Sequence, residues 1–361
     1  MSKRIVFIIG MIIIIAMIAS MGVFTGCKDQ TTEAEIEETA EAPEENAEES
    51  LKAVEEDPGN TEEETEEKDV QEVENGLITV TDDLGNEVTL EKPAEKVIVF
   101  APSALEIIDA LGGMDKVIGV DNWSVDSNEP LAEGFEGFGD YYGFNMEKIV
   151  EVDPDLLIVL AGNPPEDIER VKEYGISIYT VEVSSLEAIY GEILNMGMLL
   201  GMKDKAEEIS NDLEEQMEGI YSKVKDLEED EKPKVFYMVY SDPLWSTGLG
   251  TFIDDLIVYA GGVNIVAADG IEGYVEYSIE KLLENNPDII IAGDGGMYDA
   301  ATPDFILEDE RFASVNAVVN EEVYIVTANY LERPNQNSIN GLIMLATAIN
   351  PGIFGDFEMI K

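Results

Sequence analysis

Tyr141–Asp155 reads YYGFNMEKIVEVDPD, and Tyr274–Asp288 reads YVEYSIEKLLENNPD. The second follows the first at a constant offset of 133 residues: Tyr141 matches Tyr274, Glu147-Lys148 matches Glu280-Lys281, Glu151 matches Glu284 and Pro154-Asp155 matches Pro287-Asp288. Each copy opens on an N-cap residue, Asn145 or Ser278, and predicts a short helix with Glu in its first turn. A Pro-Asp break follows, then an apolar run, LLIVL or IIIAG, of the kind that forms a buried strand. One supersecondary unit used twice implies two similar α/β lobes, and two lobes imply a cleft.

Outward from these units, apolar strands alternate with helical patterns. Val97–Phe100, Val117–Val120, Asp155–Leu160 and Ile176–Val181 predict strands, with helices over Ser103–Leu111 and Pro165–Tyr174. That rhythm belongs to a parallel sheet covered on both faces. Leu77–Leu90 predicts an opening hairpin turning at Asp82-Asp83 and Gly85-Asn86. Ser185 to about Glu229 is helical in pattern and weakened at Gly197 and Gly201; the alternation resumes at Val235–Tyr240. The second lobe continues with a helix over Phe252–Tyr259, a Gly261-Gly262 turn, a strand at Val323–Val326 and a last helix from about Asn337 to Ile349.

The expected architecture is therefore α/β, two Rossmann-like lobes joined by a single long helix with the ligand cleft between them. The expected divisions are an anchor at 1–27, a disordered acidic tether at 28–76, lobes at 77–200 and 233–361, and a connecting helix at 201–232.

Composition narrows the chemistry. The chain has 361 residues, no histidine and one cysteine, Cys27, so histidine-based catalysis, the usual zinc sites and an internal disulfide are excluded. No metal ligands and no catalytic residues are assigned, and an enzyme is not expected. A formal charge of −57 with four arginines argues against a nucleic-acid partner. Residues 28–75 account for −18 of that charge and carry few large apolar side chains, so they cannot bury enough surface to fold. The acidity of the remainder suits solubility in high salt.

Lys3 and Arg4 precede an uncharged run, Ile5–Phe24, and then Thr25, Gly26 and Cys27. This order resembles a lipoprotein signal, with Cys27 as the lipidated residue. The run is also long enough to stay as a transmembrane anchor. Both readings place the rest of the chain on the extracytoplasmic face of the membrane.

PSALEIIDALGGMDKVIGV (Pro102–Val120), the two Glu-containing units, TFIDDLIVYAGGVNI (Thr251–Ile265) and ERPNQNSINGLIMLATAINP (Glu332–Pro351) together resemble the substrate-binding proteins of ABC importers for ferric siderophores, haem and cobalamin. The resemblance covers about residues 77 to 352. It implies slight closure over a bulky ligand and one docking glutamate per lobe for the arginines of a permease dimer served by an ATPase. Glu147 and Glu280 match those positions. A carboxylate in a first helical turn is also favoured by the helix dipole, by ~0.3–1 kcal/mol, which explains Glu there without docking. That does not explain the tyrosine six residues before each.

Trp123, Tyr141, Tyr142, Trp245, Tyr274 and Tyr330 are the aromatic candidates for the cleft, with Arg333 beside them in YLER. Trp123, Tyr141, Trp245 and Tyr274 match positions that carry aromatic residues against the corrinoid in cobalamin-binding members, although tyrosine often stands where those proteins use tryptophan. No cofactor is expected beyond the bound solute, a cobalt- or iron-containing chelate. Beyond Arg4 the chain has only Arg170, Arg311 and Arg333, too few for a strongly anionic catecholate complex. A net-neutral corrinoid or a neutral hydroxamate complex meets less repulsion, and haem stays open through a tyrosine oxygen on its iron; of these the corrinoid is favoured, with a ferric siderophore or haem as the alternative. A monomer is expected. The rival class is an extracellular hydrolase using paired carboxylates, a weak signal in so acidic a chain.

Overall fold

The computed structural model describes residues 76–127, 129–294 and 303–357. Cys27, the apolar run before it and the acidic tether lie outside the described residues.

The N-terminal lobe opens on a hairpin, β1 (Ile78–Thr81) and β2 (Glu87–Leu90), whose turn is held by the Asp82 carboxylate accepting from Leu84 N (3.1 Å) and Asn86 N (2.7 Å). There follow β3 (Val97–Val99), α1 (Pro102–Leu111), β4 (Val117–Val120), α2 (Asn122–Asp126), the small hairpin β5 (Gly139–Asp140) and β6 (Gly143–Phe144), α3 (Met146–Val152), β7 (Leu156–Leu160), α4 (Pro165–Glu173) and β8 (Ser177–Val181). The parallel strands lie in the order β4-β3-β7-β8. Alternate residues of β3 and β7 enter different cores, which is why both strands are apolar throughout. Val97, Val99, Leu156 and Ile158 pack with Ile107 and Ile108 of α1, while Ile98, Leu157 and Val159 meet Ile149 of α3 and Val171 of α4.

The long helical stretch is two helices, α5 (Leu186–Leu200) and α6 (Lys203–Tyr221). Gly201 ends α5 in the left-handed conformation (φ 71°), and Met202 N–H reaches back to Gly197 O at 2.6 Å. The connecting helix expected over 201–232 thus occupies Lys203–Tyr221. Ala206, Leu213, Met217 and Ile220 are buried along it, Val224 just beyond, and the acidic segment that follows offers nothing further to bury.

The C-terminal lobe contains β9 (Lys234–Met238), β10 (Tyr240–Ser241), β11 (Leu244–Thr247), α7 (Phe252–Tyr259), β12 (Val263–Asn264), α8 (Ile265–Ala268), β13 (Tyr274–Glu276), α9 (Ile279–Asn285), β14 (Ile289–Asp294), α10 (Pro303–Glu308), α11 (Asn316–Val319), β15 (Val323–Thr327), α12 (Ala328–Glu332), α13 (Ser338–Ile349) and α14 (Pro351–Phe354). Its parallel strands lie in the order β12-β9-β14-β15, the same order as in the first lobe when strands are counted from the first of each sheet.

The repeat continues into the hydrogen bonding. Asp155 Oδ2 accepts from Glu95 N and Lys96 N (both 2.9 Å), and Lys96 Nζ donates to Val152 O (2.9 Å) at the end of α3. In the second lobe Asp288 Oδ2 accepts from Lys234 N (3.0 Å), and Lys234 Nζ donates to Asn285 O (3.3 Å) at the end of α9. The repeated Pro-Asp therefore ties each short helix to the first strand of its sheet.

One apolar core runs through both lobes. Val97 and Leu156 belong to it, as do Ile189 and Ile193 of α5, Leu213 of α6, Leu256 of α7, Leu345 of α13, and Val235 and Ile291 of the second sheet. Each fully buried Leu or Ile contributes about 1.5–3 kcal/mol. Wide separation of the lobes would expose several such residues, so small closure is favoured over a large hinge motion.

Candidate functional site

Loops leaving the C-terminal ends of parallel strands are where open α/β sheets present ligand-binding groups. After β4, Asp121 caps α2: its carboxylate accepts from Ser124 N (2.8 Å) and Ser124 Oγ (2.6 Å). Burial pushes the Asp121 carboxyl above its ordinary range, and the bonds from Ser124 oppose that. This cap leaves Trp123 turned outward and 38% exposed.

The β5–β6 turn carries Tyr141 and Tyr142, whose rings meet edge to face at 5.5 Å. The turn is braced by Asp140 accepting from Tyr142 N (2.8 Å) and by Asn163 Nδ2 donating to Tyr141 O (3.3 Å). The Tyr141 ring lies over Gly162, just past the end of β7; a Cβ there would stand 1.9 Å from the Tyr141 hydroxyl. Since β3 has β4 on one side and β7 on the other, Tyr141 sits at the switch point of the first sheet. Gly162→Ala is expected to displace this exposed ring at little cost in unfolding temperature while weakening ligand binding; thermal melting and ligand titration on one preparation check both.

In the second lobe a three-stranded antiparallel sheet, β10-β11-β13, sets Tyr240 opposite Trp245 and Trp245 opposite Glu276, with Tyr274 paired to Thr247. Residues in register, and those two apart, share a face, so Tyr240, Trp245 and Tyr274 project to the same side. Trp245 is 37% exposed and Tyr274 52%. Tyr330, on α12, is half-buried against the shared core, more wall than free surface.

Arg333 was expected in the cleft, and the structure gives it carboxylate partners already. Its Nη2 donates to Glu129 Oε1 (2.7 Å) and its Nη1 to Glu106 Oε1 and Glu129 Oε2 (both 3.2 Å). Burial pulls the guanidinium toward the neutral form, but the bonds and charge of Glu129, then Glu106, outweigh it and raise its affinity for the proton. Its carbon lies 5.4 Å from the centre of the Trp123 ring. Glu106 also accepts from Asn335 Nδ2 (3.0 Å) and Asn337 Nδ2 (3.1 Å), and its carbonyl from Gln336 Nε2 (3.2 Å). A segment of the second lobe is thereby clasped to α1 of the first, directly beneath a candidate cleft tryptophan.

The structure thus gathers Trp123 with Arg333, Tyr141 with Tyr142, and Trp245 with Tyr274. Glu106, Glu129, Gly162 and Asn163 were not foreseen. Glu106 had one weak signal, an acid inside the largely apolar helix PSALEIIDAL, which it shares with the exposed Asp109. Glu147 and Glu280 are exposed in the first turns of α3 and α9, capped by Asn145 and Ser278. Among the described residues there is no His, Cys, Asp and Glu cluster able to hold a metal ion, and no helix long and apolar enough to cross a membrane.

A family profile described as periplasmic binding protein matches residues 97–330, from the first parallel strand of one lobe past the last of the other. The chain belongs to the periplasmic binding protein family. Within this family, the "uncharacterized ABC transporter substrate-binding lipoprotein YvrC" of Bacillus subtilis is 29% identical over 301 residues, covering 82% of this chain and 93% of that one. A vitamin B12-binding protein of Vibrio parahaemolyticus is 27% identical, over 70% of this chain and 88% of its own. Among solved binding-protein structures, the periplasmic vitamin B12-binding protein of Vibrio cholerae superposes with a TM-score of 0.60 at 25% identity, covering 71% of this chain and 97% of that one. A molybdate periplasmic binding protein of Haemophilus influenzae gives a TM-score of 0.66 at 21% identity, over 76% of this chain and 92% of that one, a likeness of fold alone.

Proposed function

We propose that this chain is the extracytoplasmic solute-binding component of an ABC importer, that its solute is a large, net-neutral metal chelate of the corrinoid class, and that it delivers that solute to a permease dimer coupled to an ATPase. Lipidation at Cys27 is the proposed means of holding it at the membrane.

One observation carries the choice of solute: exposed aromatic surface is offered by both lobes with no free guanidinium beside it. The three arginines among the described residues are all engaged by carboxylates, Arg170 by Asp167 (3.1 Å), Arg311 by Asp309 (2.6 Å) and Arg333 by Glu129 (2.7 Å). A multiply anionic catecholate complex would meet aromatic faces and fixed negative charge. A corrinoid presents a broad apolar face that tryptophan and tyrosine rings cover well. The vitamin B12-binding relatives support the same choice.

The test is truncation on each lobe. Trp123→Ala and Trp245→Ala are each expected to weaken cyanocobalamin binding by about tenfold or more, the loss typical of a central aromatic anchor. Unchanged affinity in both variants contradicts the reading.

A further inference from the structure

Arg333 meets more negative charge than it needs. Glu106 on α1 gives it one carboxylate oxygen at 3.2 Å, and Glu129 gives it both of its own, at 2.7 and 3.2 Å. One carboxylate balances one guanidinium, so the trio keeps a surplus negative charge. The three side chains are only 15–21% exposed, where water screens that charge weakly.

The two acids are held differently. Glu106 is built into the clasp between the lobes: beyond Arg333 it accepts from Asn335 Nδ2 (3.0 Å) and Asn337 Nδ2 (3.1 Å), and Asn335 is itself fully buried, with its N–H on Ser338 Oγ at 3.2 Å. The carboxylate of Glu129 stands outside that network and, among the described residues, bonds to Arg333 alone. What fixes the chain at Glu129 is its backbone, whose N–H donates to Ser124 O (3.0 Å) in α2 and whose carbonyl accepts from Ala132 N (2.9 Å). The same α2 carries Trp123, whose ring lies 5.4 Å from the Arg333 guanidinium carbon while 38% of the residue stays exposed. A solute in contact with that exposed part, at about 3.5–4 Å, is within roughly 10 Å of the trio, about the Debye length at 0.1 M salt.

We infer that Glu129 is a specificity-determining residue: by holding Arg333 in a two-pronged pair it withdraws the cation beside Trp123 from the solute, and its surplus charge turns anionic chelates away. Discrimination of this kind comes from a repulsive element set against the wrong ligand as much as from attraction to the right one. The inference rests on the proposed capture of a net-neutral chelate and names the residue that sets the charge preference. A purely structural Glu129 would affect all ligands alike, whereas a charge selector changes their ratio.

The purified chain is titrated calorimetrically at 0.1 M salt with cyanocobalamin and with its monocarboxylates, in which one side-chain amide is replaced by a carboxylate. Size is kept and one negative charge is added. The parent protein is expected to bind the most disfavoured monocarboxylate about tenfold or more weakly than cyanocobalamin. Glu129→Gln keeps the shape of the side chain and one acceptor oxygen for Arg333, and it is expected to cut that ratio by about tenfold. Adding Arg333→Met to Glu129→Gln is expected to restore the ratio, since Glu106 then carries the surplus charge. Thermal unfolding is the folding control, and the ratio in E129Q decides whether or not the double variant folds. An unchanged ratio in E129Q, or an equal loss of affinity for both kinds of ligand, overturns the inference. Equal binding of cyanocobalamin and the monocarboxylates by the parent overturns it too and leaves the corrinoid reading standing. Silence of the parent toward every corrinoid overturns both.

Discussion

Arg333→Met is expected to lower the unfolding free energy by about 2 kcal/mol or more, because it leaves Glu106 and Glu129 facing each other with their common cation gone. The side chains of the three charged residues are only 15–21% exposed, so water compensates little of the loss. The effect reaches the cleft, since Trp123 loses the guanidinium it stacks on. Urea unfolding measures the first consequence. Emission of Trp123 in a Trp245→Phe background measures the second. Adding Glu106→Gln and Glu129→Gln to Arg333→Met is expected to recover most of the stability, since a neutral cluster no longer buries unpaired charge. Failure of that rescue would show that the arginine acts through packing and not through its charge.

Glu192→Gln is expected to stabilise the protein, increasingly so as pH rises. Glu192 is 2% exposed, its Oε2 accepts from Tyr179 Oη at 2.7 Å, and its Oε1 has no partner among the described residues. Burial, and then the nearby charge of Asp83, drives its carboxyl well above the ordinary range, with the Tyr179 bond opposing and Asp82 adding to the rise. A carboxyl whose folded affinity for protons exceeds its unfolded one loses stability as pH climbs from the ordinary carboxylate range to the folded value. Glutamine resembles the neutral acid and removes that loss. The stability difference between variant and parent should therefore be small near pH 4 and grow toward pH 8. A difference independent of pH would contradict a buried, proton-binding Glu192.

Much of the fold was legible because it is local and repeated. The apolar strands, the N-caps Asn145 and Ser278 and the Pro-Asp breaks are short-range signals, and their constant spacing made the two lobes visible without any partner sequence. The break at Gly201 was weakly marked, since a glycine within a long helical pattern signals either a tolerated weakness or a cap. The candidate site was less legible. Its aromatic residues were identifiable from their places after strands, but their grouping was not, because Trp245 and Tyr274 come to one face of the sheet only through pairing between antiparallel strands about thirty residues apart. Arg333 was legible as the one cation near the cleft, yet its neutralisation depends on Glu106 and Glu129, each more than two hundred residues away. No periodicity reports a contact of that separation.

The central claim is that the chain captures one large net-neutral chelate between its lobes. Calorimetric titration of the purified protein with cyanocobalamin at high ionic strength, followed by haem and a ferric hydroxamate complex, tests it most directly. The account predicts one-to-one cyanocobalamin binding at about micromolar affinity or better, near −8 kcal/mol. Binding of haem or the ferric complex with silence toward cyanocobalamin, or silence toward all three, would contradict it.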